Sequence, residues 1–147
     1  MNPDYREMLS ALSAEEVEYL VVGAYALAVH GLPRATGDID VWIRPTPKNA
    51  ERTLRALNRF GAPLHDLTCS DLTCEGTVFQ IGVAPRRIDL LTAIDAVSFE
   101  EAWAERVQVT VGGLTVPVIG RGALLKNKKA TGRPRDLADA EQLEQIY

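Results

Sequence analysis

The seven residues GDIDVWI, Gly37–Ile43, decide how the rest of the chain is read. Side chains along a β-strand alternate between its faces, so Asp38 and Asp40 share one face while Ile39, Val41 and Ile43 share the other. The apolar face can be buried. The acidic face carries two carboxylates about 7 Å apart at a strand rise of ~3.4 Å per residue. Unpaired anions on a half-buried strand repel one another and are costly to desolvate, and a divalent cation reverses both penalties. The pattern predicts a metal-binding strand. Taken alone, Asp-X-Asp also suits a turn residue followed by an exposed edge charge, so the flanking sequence has to choose.

Upstream, EYLVVG (Glu18–Gly23) is a Val-rich apolar run bounded by Gly and reads as a buried strand. AYALAVHG (Ala24–Gly31) follows with good helix formers and a terminal Gly suited to a left-handed cap. Gly23 therefore falls at a strand-to-helix turn. There the backbone either makes a tight turn or lets an anion approach a helix N-terminus closely. Pro33 blocks helix continuation, so Leu32–Gly37 is a loop leading into the acidic strand. Arg34 and Thr36 flank its mouth, either as a phosphate partner and a hydroxyl donor or as solvated surface residues. Before all of this, Tyr5, Met8, Leu9 and Leu12 mark a short helix over residues 4–12.

Downstream, Pro45 and Pro47 end the strand, and Thr46 is placed to cap a helix over 47–60 with Ala50, Leu54, Leu57 and Phe60 on one face. Residues 61–76 are polar and read as irregular, and His65, Asp66 and Cys69 read as scattered loop residues rather than a metal site. Strand character returns at Thr77–Val83 and at RIDLLTA, Arg87–Ala93. Asp89 lies inside that second apolar run, where an unpaired acid is expensive. It either pairs with Arg86 or Arg87 or joins the two earlier aspartates at a cation. Ser98 and Glu101 form a capping box for a short helix, and Val107–Gly120 reads as a hairpin hinged at Gly112 and Gly113. A C-terminal helical segment, about 121–147, is broken near Gly132 and Pro134, and Leu137, Ala140, Leu143 and Ile146 give its second piece an apolar seam.

With 147 residues, the chain is expected to form a single domain over 1–147. The order of elements predicts an α/β (α+β) fold, a mixed twisted sheet with flanking helices. A hydrophobic content of 46% with 24% charged residues is an ordinary globular mixture. No apolar run is long enough to span a bilayer and no basic-then-apolar leader is present, so the expected location is cytoplasmic, with no membrane partner. Cys69 and Cys74 lack a partner pair at metal spacing and read as free thiols. The net charge of −4 argues against a general nucleic-acid coat protein. Locally, Arg121, Lys126, Lys128, Lys129, Arg133 and Arg135 occur with no acid among them, either as a solvated helix face or as countercharge to a polyphosphate or RNA backbone.

A strand ending in Gly23, an Asp-X-Asp on the next strand and a third Asp on a later one together resemble the nucleotidyltransferase superfamily of the DNA polymerase β type. More narrowly, VVGAYALAVHGLPRATGDIDVWI (Val21–Ile43) and LLKNKKATGRPRDLADAEQL (Leu124–Leu143) are similar to small bacterial nucleotidyltransferase-like proteins related to the AbiEii toxins of type IV toxin–antitoxin systems. The resemblance implies a nucleotidyltransferase-like fold with Asp38, Asp40 and Asp89 as catalytic metal ligands. By the same resemblance, Asp89 also helps deprotonate the attacking hydroxyl. Gly23 matches the first residue of a Gly-Gly or Gly-Ser pair. Ala24 departs from the second, which leaves backbone N–H groups to hold a phosphate there. Lys128 would neutralise the triphosphate, and Asp136 and Asp139 would tie the C-terminal helices to neighbouring basic residues.

Attack on the α-phosphorus of a nucleoside triphosphate uses two divalent ions roughly 3.5–4 Å apart, and three carboxylates suffice to hold them. Hard oxygen ligands select Mg²⁺, with Mn²⁺ as the substitute. The expected activity is transfer of a nucleoside monophosphate to an RNA (tRNA) or protein hydroxyl, as a component of a toxin–antitoxin pair. An antitoxin or a second copy in a homodimer would complete the cleft. Two other readings compete. A nucleotide-binding or regulatory module of the same fold with weak or no catalysis is favoured by Ala24 and the small size, and a glycosyltransferase Asp-X-Asp site needs a larger α/β domain. Trp42 and Tyr25 could stack on a base, though both suit core positions better.

Overall fold

The computed structural model describes residues 1–146. Asn2 opens the first helix, its side-chain oxygen accepting the backbone N–H groups of Asp4 and Tyr5, and Pro3 stands where no N–H donor is needed. This helix, α1 (Pro3–Ala14), buries Tyr5, Met8, Leu9 and Leu12. Next come the fully buried β1 (Tyr19–Val22), α2 (Gly23–Val29), β2 (Asp38–Ile43) and α3 (Pro47–Phe60). A short α4 (Cys69–Thr73) precedes the antiparallel pair β3 (Val78–Ile81) and β4 (Arg87–Leu91). The chain then runs through α5 (Phe99–Ala104) and the hairpin β5 (Val107–Val111) and β6 (Leu114–Val118). It finishes with α6 (Arg121–Thr131) and α7 (Pro134–Ile146).

The strands form one six-stranded mixed sheet in the order β3-β4-β2-β1-β6-β5, flanked by helices as the element order predicts. The acidic strand β2 lies inside it, antiparallel to β1 and parallel to β4. Its Ile39, Val41 and Ile43 are buried, as the alternation requires, and Trp42 is buried as well. The parallel register sets Asp38 opposite Arg87 and Asp40 opposite Asp89. Buried Asn49 fastens the outer ends of β1 and β2: its Oδ1 accepts from the Glu18 N–H, and its Nδ2 donates to the carbonyls of Glu18 and Arg44. Its three hydrogen bonds offset the desolvation of a polar side chain in the interior.

Four local expectations need correction. The stretch 61–76 is not wholly irregular: Thr68 and Asp71 cap each other's backbone in a capping box that starts α4. Thr46 stands at the N-cap of α3, but its side chain makes no capping bond. In α7, Ala140 and Leu143 are buried, whereas Leu137 and Ile146 are each 45% exposed, so the expected seam shrinks to its middle. Arg86 reaches Asp4 at 3.8 Å rather than Asp89. Tyr147, the last residue of the expected helical segment, lies outside the described residues. Cys69 and Cys74 are free thiols. No described helix is long and apolar enough to cross a membrane.

Candidate active site

The turn from β1 into α2 shapes the floor of the site. Gly23 has φ +68°, and a Cβ at that position would lie 2.2 Å from Asp40 Oδ2. Both the backbone conformation and the space demand glycine. Asp38 and Asp40 project from the same face of β2, and in-register pairing with β4 brings Asp89 beside Asp40. The three residues each offer a carboxylate oxygen within 4.8 Å of the others.

Three anions so close must be stabilised or protonated. Burial, reinforced by repulsion from Asp38 and Asp89, pushes the Asp40 carboxyl up to about 6, against the opposing pull of Arg87 and Lys128. Burial also raises the Asp89 pKa, and Arg87 partly offsets this. The Thr36 hydroxyl donates to Asp38 Oδ1 at 2.8 Å. Arg87 Nη2 donates to Asp38 Oδ2 at 2.7 Å, and its Nε lies 3.2 Å from Asp89 Oδ1. Asp89 therefore has Arg87, one of its two expected arginine partners, as a neighbour, and it also lies beside the other two aspartates.

The donor set suits a hard divalent cation, because every candidate ligand is a carboxylate oxygen. Asp89 Oδ1 supplies a second indication: it is buried and makes no hydrogen bond among the described residues, despite the charge of Arg87 nearby. Such an acceptor is expensive to leave unsatisfied. The bare floor at Gly23 keeps the approach to Asp40 open.

Above the carboxylates lies a cleft of about 410 Å³ lined by Gly23, Ala24, Arg34, Thr36, Asp38 and Asp40 on one side. Lys128, Arg133 and Arg135 from the two C-terminal helices and their junction line the other. A second cavity of about 250 Å³ extends past Asp40 and Lys128 towards Asp95, Asn127 and Thr131. Lys128 lies 3.1 Å from Asp136 and 3.7 Å from Asp139, Arg34 pairs with Asp139, and Arg133 reaches Asp136 at 2.8 Å. Asp136 and Asp139 thus hold three of the cleft's basic side chains. Arg135 also lines the cleft; the sequence marks it only as one of a basic run, with nothing to separate it from its neighbours.

Among the aromatic candidates, Trp42 is buried edge-on against Phe99, with ring centroids 5.1 Å apart, and offers no platform to a base. Tyr25 packs edge-on to Tyr5 and borders a small pocket with Ala24, Arg34 and Thr36.

No protein-family model and no curated protein sequence matches this chain. Solved structures do. A presumed nucleotidyltransferase from Thermotoga maritima superposes with a TM-score of 0.59 at 16% identity, covering 99% of this chain and 94% of that one. The structure of ANT(2″)-Ia in complex with adenylyl-2″-tobramycin superposes with a TM-score of 0.60 at 13% identity, covering 95% of this chain and 84% of that one. At these identities the likeness establishes a nucleotidyltransferase-like fold.

Proposed function

We propose that this chain is a Mg²⁺-dependent nucleotidyltransferase that moves a nucleoside monophosphate from a nucleoside triphosphate to an acceptor hydroxyl. The observation that carries the proposal is the convergence of Asp38, Asp40 and Asp89, with carboxylate oxygens within 4.8 Å, beside a cleft whose far wall carries Lys128, Arg133 and Arg135 together with Asp136 and Asp139. The two structures with a similar fold, one of them in complex with adenylyl-2″-tobramycin, support it. In the reaction the acceptor oxygen bonds to the α-phosphorus, the bond from that phosphorus to the bridging oxygen breaks, and pyrophosphate leaves.

Asp38, Asp40 and Asp89 would hold Mg²⁺, with Mn²⁺ as a substitute. When bound, the metal lowers the pKa of the attacking hydroxyl and neutralises charge on the phosphates. Asp89, the most buried of the three, is assigned the uptake of the hydroxyl proton. Gly23 and Ala24 present backbone at the start of α2 to the phosphates. Lys128, held in place by Asp136 and Asp139, supplies positive charge across the cleft, with Arg34 and Thr36 at its rim.

The AbiEii-type assignment, with an RNA (tRNA) or protein acceptor and an antitoxin or a homodimer partner, rests on the motifs Val21–Ile43 and Leu124–Leu143. It is tested by incubating the protein with each α-labelled nucleoside triphosphate, Mg²⁺ or Mn²⁺, and tRNA or protein acceptors. Label should enter one acceptor class with release of pyrophosphate, and should vanish in Asp38→Ala and Asp89→Ala. Undiminished labelling in those variants would refute the mechanism. Ala24, which lacks a hydroxyl, favours a second reading as a nucleotide-binding module. Calorimetric binding of nucleotide and metal without turnover on any acceptor would select that one.

A further inference from the structure

We propose that Arg87 is the resident counter-cation of the aspartate cluster, and that a divalent ion must displace its guanidinium in order to bind. The inference rests on the reading of the cluster as a metal centre. Arg87 lies two residues before Asp89 on β4 and therefore projects from the same face. Its register partner on β2 is Asp38. The guanidinium thus spans two of the three acids, with Nη2 2.7 Å from Asp38 Oδ2 and Nε 3.2 Å from Asp89 Oδ1. Thr36 already donates to the other oxygen of Asp38, so both are engaged.

Guanidinium has donors and no acceptor, so it cannot ligate a metal. A cation drawn to the three carboxylates meets a like charge a few ångströms away and must compete for the oxygens Arg87 touches. The arrangement also allows Arg87 to yield. Its side chain is 37% exposed, and the Nε contact with Asp89 is a charge contact in which neither atom makes a hydrogen bond among the described residues. Asp40 is free of this bridge, which leaves it as the first point of arrival for the metal. In the free protein Arg87 keeps the repulsion among the acids in check, and the same contact holds down the affinity for the ion.

The sign of the effect separates this role from simple structural support. A residue that only supports the cluster loosens metal binding when it is replaced. A competing cation tightens it. Mn²⁺ binding to the metal-free full chain is followed by the loss of the free-ion paramagnetic resonance signal, at low salt and near neutral pH. Arg87→Gln should bind on the order of tenfold more tightly than wild type. Arg87→Lys keeps the charge but loses the rigid planar fork that spans Asp38 and Asp89, and should bind about threefold more tightly. Asp40→Asn should remove the site.

Circular dichroism establishes that each variant is folded, and Arg87→Lys decides the matter if Arg87→Gln does not fold. Affinity equal to or below wild type in the folded Arg87 variants, with wild-type binding that Asp40→Asn abolishes, overturns the counter-cation role and leaves the metal centre standing. Absence of any wild-type Mn²⁺ binding sensitive to Asp40→Asn overturns the metal-centre reading and the inference with it.

Discussion

Replacing Asp40 by Asn removes one negative charge from a site where burial and two neighbouring carboxylates disfavour it. The folded-state pKa of Asp40 is pushed from an ordinary 3.8 up to about 6. Between those values the folded protein holds a proton that the unfolded chain has released. The stabilising contribution of protonated Asp40 is therefore fully present below 3.8 and is lost as pH rises through about 6. At about 1.4 kcal/mol per pH unit, the rise corresponds to about 3 kcal/mol, and water reaching the partly exposed cluster reduces it to about 1–3 kcal/mol. Metal-free Asp40→Asn should be more stable than wild type by that amount at about pH 8 and indistinguishable from it at about pH 4. Urea unfolding in a chelating buffer, followed by tryptophan fluorescence, measures the difference. Added Mg²⁺ or Mn²⁺ should stabilise the wild type alone, because only a folded state that binds the ion gains from it. A variant no more stable than wild type at the higher pH, or equally favoured at both, would refute the electrostatic account of the site.

Three further outcomes follow from the geometry. Gly23→Ala places a methyl group 2.2 Å from Asp40 Oδ2 on a backbone with φ +68°; thermal unfolding should show a loss of at least about 1–2 kcal/mol, together with weakened Mn²⁺ binding. Ala24→Ser restores a hydroxyl at the start of α2, and titration with a non-hydrolysable triphosphate should show affinity improved about fivefold, the equivalent of one net hydrogen bond. Lys128→Ala leaves Asp136 and Asp139 without their shared cation, 3.1 and 3.7 Å away; unfolding should show a loss of about 1–3 kcal/mol, which Lys128→Arg should largely spare.

Much of the framework around the acids was legible because its signals are local. The two-residue alternation of Asp38–Ile43, the glycine between β1 and α2, the capping box at Ser98 and the glycine pair between β5 and β6 each concern a few adjacent residues. Asp89 stood out because an acid within RIDLL needs a partner. What remained hidden depends on pairing between distant segments. Nothing in the composition of β2 or β4 states that they run parallel with Asp40 opposite Asp89, or that Arg87 therefore reaches Asp38. The helix α4 escapes sequence reading because only Leu72 in it is buried, so apolar periodicity is silent and the capping pair Thr68 and Asp71 is its local signal. Leu137 and Ile146 fit the apolar spacing of α7, but their exposure depends on which surfaces oppose them, and spacing alone does not determine that.

The parallel pairing of β2 with β4 joins side chains 49 residues apart and routes the chain through α3, α4 and β3 before it returns. During synthesis Asp38 and Asp40 emerge from the ribosome well ahead of both the acid and the arginine that complete their surroundings. A nascent chain halted between the two strands therefore carries the aspartate pair without the third acid, and full charge crowding arises only when β4 docks beside β2.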